Sequence, residues 1–177
     1  MKIEKTVIKD LLVIKVDNYV DSRGFFQEQY SLKNYKKKKI KHKFVQDNLT
    51  FSKKNVLRGL HFQVFKPQAK LISVIEGEIF DVAVDIRPKS KTYLKYFSIY
   101  LSGSNNKQLF IPEGFAHGFY VTSNYAYVNY KCSDFYDPQD LSGIIWNDKT
   151  ISVKWPLLNR YPNLSTKDKK LNKLNSQ

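Results

Sequence analysis

Short apolar runs rich in Val, Ile, Tyr and Phe recur along the chain between turn signals, a pattern that predicts an all-β sandwich or barrel. The runs predict strands at Leu12–Val16, Phe25–Tyr30, Phe44–Leu49, Val56–Phe62, Lys70–Glu76 and Glu78–Ile86. Further strands are predicted at Lys95–Leu101, Gln108–Ile111, Gly118–Thr122, Ala126–Cys132 and Ile144–Trp146. Turn residues separate them at Asp21–Gly24, Glu76-Gly77, Arg87-Pro88, Ser102–Ser104, Pro112–Gly114 and Asp137-Pro138. Leu32–Lys41 reads as one short helix opened by Ser31 as N-cap, and the tail after Ser165 as helical or frayed. Within Ile79–Asp85 the alternation is strict: Asp81 and Asp85 share a face with Ala83, while Phe80, Val82 and Val84 take the other. Alternation alone leaves Asp81 either a pocket carboxylate or a solvated strand residue.

The two most patterned runs are NVLRGLHFQ (Asn55–Gln63) and IPEGFAHGF (Ile111–Phe119), and each carries one of the chain's three histidines. Histidine is the side chain best suited to proton transfer near neutral pH, so a pocket built from these runs points to an enzyme. Arg58 and His61 are three apart on one predicted strand and project to opposite faces unless a bulge intervenes at Gly59. His61 and Gln63 share a face. A metal-binding cupin would carry histidine at both of those positions; with Gln63 at the second and His42 isolated in a lysine run, no metal triad can be assembled. No metal or other cofactor is therefore expected.

His61 reads either as a buried histidine satisfied by a backbone carbonyl or as a general base. The surroundings favour the base. Gln46, Asn48, Arg58, Gln63, Lys70, Tyr130 and Lys131 all fall in or beside apolar strands, where they would cost stability unless they met in a wet or ligand-filled cavity. Tyr130 can donate a proton where a basic environment lowers its pKa, and Lys70 can stabilise a developing enolate oxygen. A base, an acid and a cation suit proton abstraction α to a carbonyl. Nucleophile-elbow, P-loop and dinucleotide fingerprints are all missing.

Length and composition, 177 residues with 42% hydrophobic and 15% aromatic, fit one packed domain over residues 1–177 with a lysine-rich tail from about 166. No apolar run is long enough for a membrane span, and Met1–Asp10 lacks a signal-peptide core, so a cytoplasmic protein is expected, without membrane attachment. The lone Cys132 reads as a buried, inert thiol. The net charge of +14 is mostly lysine, concentrated at Lys36–Lys43 and Lys167–Lys173, with no recognition helix or RNA-binding signature. It reads as a solvated surface, and no nucleic-acid partner is expected. Attraction of an anionic small molecule such as a nucleotide sugar is a second reading of that charge.

A set of ordered motifs goes further. They are Asp21–Phe26 with Glu28, Gln46–Asn48 with Ser52, NVLRGLHFQ, Lys70-Leu71, GEIFDVAVDIRPKS, QLFIPEGFAHGF, Tyr130–Cys132, Ile145–Asp148, Trp155-Pro156 and Leu164–Asp168. From about Asp10 to Asp168 the chain resembles the dTDP-4-dehydrorhamnose 3,5-epimerase family. The resemblance implies a cupin-like jelly roll, a double-sheet barrel with a few short peripheral helices. It implies cofactor-free epimerisation of a nucleotide-linked 4-keto-6-deoxy-hexose, in a pathway supplying surface polysaccharide. His61 matches the family's general base and Asp168 the carboxylate that orients it. Lys70 matches the cation beside the C4 oxygen, and Tyr130 the acid that reprotonates from the opposite face. Arg23, Phe26, Glu28, Gln46, Asn48, Arg58, His117 and Lys167 fall in the segments matched to sugar, pyrophosphate or base binding. The family forms homodimers by strand exchange, so some of these groups would serve the neighbouring subunit. The alternatives are a 3- or 5-monoepimerase of a related nucleotide sugar and a non-catalytic sugar-nucleotide binder. The chain departs from the family pattern in a slightly shorter loop between Gln63 and Lys70. It also has Ser73 where arginine is common, Leu141 beside Asp140 where an acidic residue is common, and a lysine-rich tail without an apolar anchor.

Overall fold

The computed structural model describes residues 1–174. Its strands are β1 (Lys2–Lys5), β2 (Leu12–Lys15), β3 (Asn18–Asp21) and β4 (Gly24–Gln27), followed by helix α1 (Leu32–Lys37). Then come β5 (Gln46–Lys53), β6 (Leu57–Gln63), β7 (Lys70–Asp85), β8 (Tyr96–Ser102), β9 (Lys107–Ile111), β10 (Phe115–Cys132), β11 (Leu141–Gly143) and helix α2 (Thr166–Lys169).

Two long strands organise everything else. β7 and β10 pair antiparallel from Lys70↔Cys132 to Asp85↔Phe115. The two breaks expected in these strands, at Glu76-Gly77 and between Thr122 and Ala126, are irregularities inside continuous strands. Gly77 takes a left-handed backbone (φ +82), and a Cβ there would meet the Tyr125 carbonyl at 2.0 Å. The strands thus touch and bend at this point without reversing.

On one side of the bend, β7 continues to β9, β2 and β1, while β10 pairs with β5. On the other side, β8 joins β7, and β6 with β11 joins β10. The two layers face each other. Val13, Ile72, Leu109 and Val128 from the first pack with Ala83, Leu101, Phe115 and Phe119 from the second. This is the double-sheet, cupin-like architecture expected. The outer face of the first layer is covered by Tyr35 and Ile40 from α1 and its exit, resting on Ile14, Leu71 and Phe110. The outer face of the second layer, where Phe80, Val82 and Val84 point as their alternation predicted, is covered by Ile144, Trp146, Ile151 and Trp155.

Other boundaries move for local reasons. Ser31 caps α1 by accepting from the Asn34 N–H, but the helix closes at Lys37, where Lys38 and Lys39 turn the chain; Lys39 has φ +68. The strand expected at Ile144–Trp146 lies earlier, at Leu141–Gly143. From Ile144 the backbone turns to the tail, making an isolated bridge to Asn172. β1 and β3 carry too few apolar residues to stand out in the sequence. β3 and β4 form a separate two-stranded ribbon outside the main sheet.

Candidate active site

A cavity of about 590 Å³ opens between the layers, walled by β5, β6, β7, β10 and the segment leading into α2. Strand alternation aims Gln46, Asn48 and Thr50 of β5 inward, while Asp47, Leu49 and Phe51 face out.

β6 places Arg58 and His61 in the same cavity despite their odd spacing. Gly59 between them takes φ +106, and the pairing with β10 shifts register between His117 and Phe119. A Cβ at Gly59 would lie 2.5 Å from the His117 carbonyl, so only glycine permits this approach. Gly59→Ala is expected to destabilise the protein by at least about 2 kcal/mol, read as a fall in the urea midpoint.

His61 Nε2 lies 2.6 Å from Asp168 Oδ1. The carboxylate arrives on α2, whose N-cap Ser165 accepts from the Asp168 N–H and donates its hydroxyl to Asp168 Oδ2 at 2.9 Å. Burial alone would raise the Asp168 carboxyl. Hydrogen bonds from His61, Ser165 and the Gly59 backbone, with the His61 charge, outweigh it and hold the carboxyl below its usual 3.8. An ionised carboxylate only accepts, so the Nε2–H of His61 is the donor of this bond. A depressed carboxylate contributes stability above its unfolded value that is lost as pH falls through the lower folded value. Asp168→Asn is therefore expected to flatten the fall of the urea midpoint below pH 3.8, relative to the native chain.

Lys70 opens β7 and reaches into the same cavity. Its burial lowers the ammonium pKa, while Cys132 and Asp81 pull the other way. Tyr130, on the inward face of β10, has its phenol pushed up by burial; Cys132 adds to this and Arg58 opposes it. The basic environment expected to lower Tyr130 is thus overridden by desolvation, and the phenol stays protonated at neutral pH. A second histidine–carboxylate pair stands beside the first: His117 is the direct cross-strand partner of His61, and its Nε2 lies 2.9 Å from Asp81 Oδ2. Asp81 is fully buried, which settles its ambiguous alternation in favour of the inside.

The chain matches the sequence profile of dTDP-4-dehydrorhamnose 3,5-epimerase over residues 5–176. The chain belongs to the dTDP-4-dehydrorhamnose 3,5-epimerase family. Among relatives of that name, the protein of Methanothermobacter thermautotrophicus is 48% identical, with 86% of this chain and 83% of the relative covered. The Salmonella typhimurium protein is 46% identical, with 95% and 92% covered. In structure, the Legionella pneumophila dTDP-6-deoxy-D-glucose-3,5-epimerase in complex with dTDP-4-keto-L-rhamnose superposes with a TM-score of 0.95 at 45% identity. That superposition covers 99% of this chain and 93% of that one.

Of the residues this family resemblance assigned, Gln46, Asn48, Arg58, His61, Lys70, His117, Tyr130, Lys167 and Asp168 all line the one cavity. Arg23, Phe26 and Glu28 are not brought to it. Arg23 is exposed on the β3–β4 ribbon, donating to Asp21, Phe26 is 69% exposed, and Glu28 accepts from Asn34. Lys131, grouped with the inward polar residues in the sequence, faces out, where it pairs with Asp47 and lies 5.8 Å from the Tyr30 ring centroid. Cys132 is buried, as expected. The sequence left open whether Asp81 was buried, gave no sign of its pairing with His117, and did not single out the role of Ser165. The Ser165-x-x-Asp168 spacing of an N-cap was the available signal for the latter.

Proposed function

We infer that the protein epimerises dTDP-4-dehydro-6-deoxy-D-glucose at C3 and C5 to dTDP-4-dehydro-L-rhamnose. The observation that carries this reading is the His61–Asp168 dyad sharing one cavity with Lys70 and Tyr130. A C4 ketone acidifies both neighbouring C–H bonds, because the electron pair left at C3 or C5 delocalises onto oxygen. His61 Nδ1 takes the proton, and Asp168 stabilises the resulting imidazolium through Nε2–H. Lys70 Nζ donates to the C4 oxygen, where the negative charge develops. Tyr130, neutral at working pH, returns a proton from the other face; the His61 imidazolium then gives its proton to solvent and the phenolate takes one from it, so both groups are reset for the second carbon. Arg58, which also bonds Ser52 Oγ at 2.9 Å, is placed to meet the diphosphate together with Lys167.

Deuterium uptake from D2O into the substrate, read by NMR at C3 and C5, tests the reading. Label at both carbons is expected. Label at one carbon would make the protein a monoepimerase, and none would leave a binder.

The active unit in this reading is a homodimer that exchanges the β3–β4 ribbon, so that Arg23, Phe26 and Glu28 complete the cavity of the partner. Their distance from their own cavity and the exposure of Tyr19, Val20, Phe25 and Phe26 support it. Co-expressing Arg23→Ala chains with His61→Ala chains should restore about a quarter of native activity, because half the dimers are mixed and each holds one intact site. Activity no greater than that of the parent variants would place Arg23 in cis. A cytoplasmic location is part of the same reading, since nucleotide sugars are made from cytoplasmic nucleotides. No helix among the described residues is long and apolar enough to cross a membrane.

A further inference from the structure

The β3–β4 ribbon leaves the main sheet, yet its root is tied to the barrel by a chain of amide side chains. Asn18 Nδ2 donates to Asn106 Oδ1 at 2.8 Å, and Gln27 Nε2 donates to Asn18 Oδ1 at 2.5 Å. Gln29 Nε2 donates to Gln27 Oε1. The chain ends on Gln108, which is 1% exposed on β9. Gln108 Nε2 is within reach of the Gln29 carbonyl (2.9 Å), Gln29 Oε1 (3.1 Å) and Ser73 Oγ (2.9 Å). Its Oε1 accepts from the buried Tyr35 hydroxyl at 2.5 Å, and that hydroxyl also lies 3.1 Å from the Gln29 carbonyl. Ser73 and Gln108 are direct cross-strand partners of β7 and β9, on the wall behind the cavity. The serine standing where arginine is common in the family is the group that receives the Gln108 amide.

A buried amide with every hydrogen-bonding group engaged is a costly thing to keep in a core unless it fixes something. What this one fixes is the place where the ribbon departs. We propose that Gln108, with Ser73, is a positioning residue for catalysis, which sets the angle of the β3–β4 ribbon and thereby the placement of Arg23, Phe26 and Glu28 on the substrate. The proposal rests on the reading of those three residues as substrate-binding. Gln108 touches no reacting atom, so its effect falls on substrate binding and leaves the proton transfers at His61 and Tyr130 intact.

The test is the double variant Ser73→Val with Gln108→Leu, which removes both partners; Tyr35 keeps the Gln29 carbonyl, and the half-buried Gln29 Oε1 is the one acceptor released. Gln108→Met, of similar length, serves where the double variant does not fold. The expected result is a KM raised about tenfold with kcat within about twofold of native and the pH profile of kcat unmoved. Amide exchange at residues 18–29 should be faster, with exchange in β7 and β10 unchanged. Native KM and native exchange in the ribbon would overturn the proposal. So would a fall in kcat at constant KM, which would place the effect on Lys70 through β7. If the native chain does not turn over the dTDP sugar, the reading of function fails, while the exchange measurement still decides whether Gln108 anchors the ribbon.

Discussion

His61→Ala is expected to lower kcat for deuterium incorporation at C3 and C5 by about three orders of magnitude. The affinity for dTDP, measured by calorimetry, should change by less than about threefold, because in the proposed mechanism the imidazole serves the sugar and the nucleotide is held elsewhere. The size of the effect follows from the geometry. His61 is the histidine whose Nε2–H is fixed by an ionised carboxylate and which lines the cavity together with Lys70. Survival of turnover at more than about a tenth of native would remove His61 as the base. In that event His117, which lines the same cavity and is backed by the buried Asp81, would be the next candidate.

Lys70→Met is expected to cost about two to three orders of magnitude in kcat, since in the proposed mechanism it removes the cation from the oxygen on which the enolate charge accumulates. The same change should not lower the urea midpoint. Burial already disfavours the ammonium, so a side chain of similar length without charge removes a desolvation cost from the fold. Loss of activity with equal or greater stability separates a catalytic cation from a structural one. A fall in both would mean that Lys70 supports the buried Asp81 instead. The lowered ammonium pKa carries a further sign: activity should decline at alkaline pH below the ordinary lysine value of 10.5, because the protonated form is the one required.

Much of this site was legible in the sequence because it is built on strands. Their polar character within apolar strands marked Gln46, Asn48 and Tyr130 for a cavity, and they line it, while Lys131, grouped with them, faces out. Where alternation breaks, sequence reasoning stops short. Arg58 and His61 share a cavity only because Gly59 adopts a conformation that pattern alone signals but cannot fix. The bends of β7 and β10 read as turns, since glycine and polar residues look alike at a bulge and at a reversal. Asp168 was the hardest case. The Ser165-x-x-Asp168 spacing does not by itself assign a role to a carboxylate in a lysine-rich tail, and only the family resemblance singled it out; the structure then supplied the reason, an N-cap that aims it at His61. The placement of Arg23, Phe26 and Glu28 on a detached ribbon is also beyond local pattern, because it depends on where the chain leaves the sheet.

The dyad is assembled from two unequal parts. His61 sits on a strand paired on both sides, by β10 and β11. Asp168 sits on a four-residue helix, tied to the barrel upstream by the backbone of Asn163 on Asn55 and Leu57 and downstream by the Asn172 bridge to Ile144 and the Leu174 N–H on Asp148. The pair therefore joins a strand inside the sheet to a short helix outside it, and local opening of that helix is expected to uncouple it while the barrel stays closed. Inactivation in mild urea should then precede loss of the tryptophan fluorescence transition. The working limit of the enzyme would be set by the detachment of one short helix.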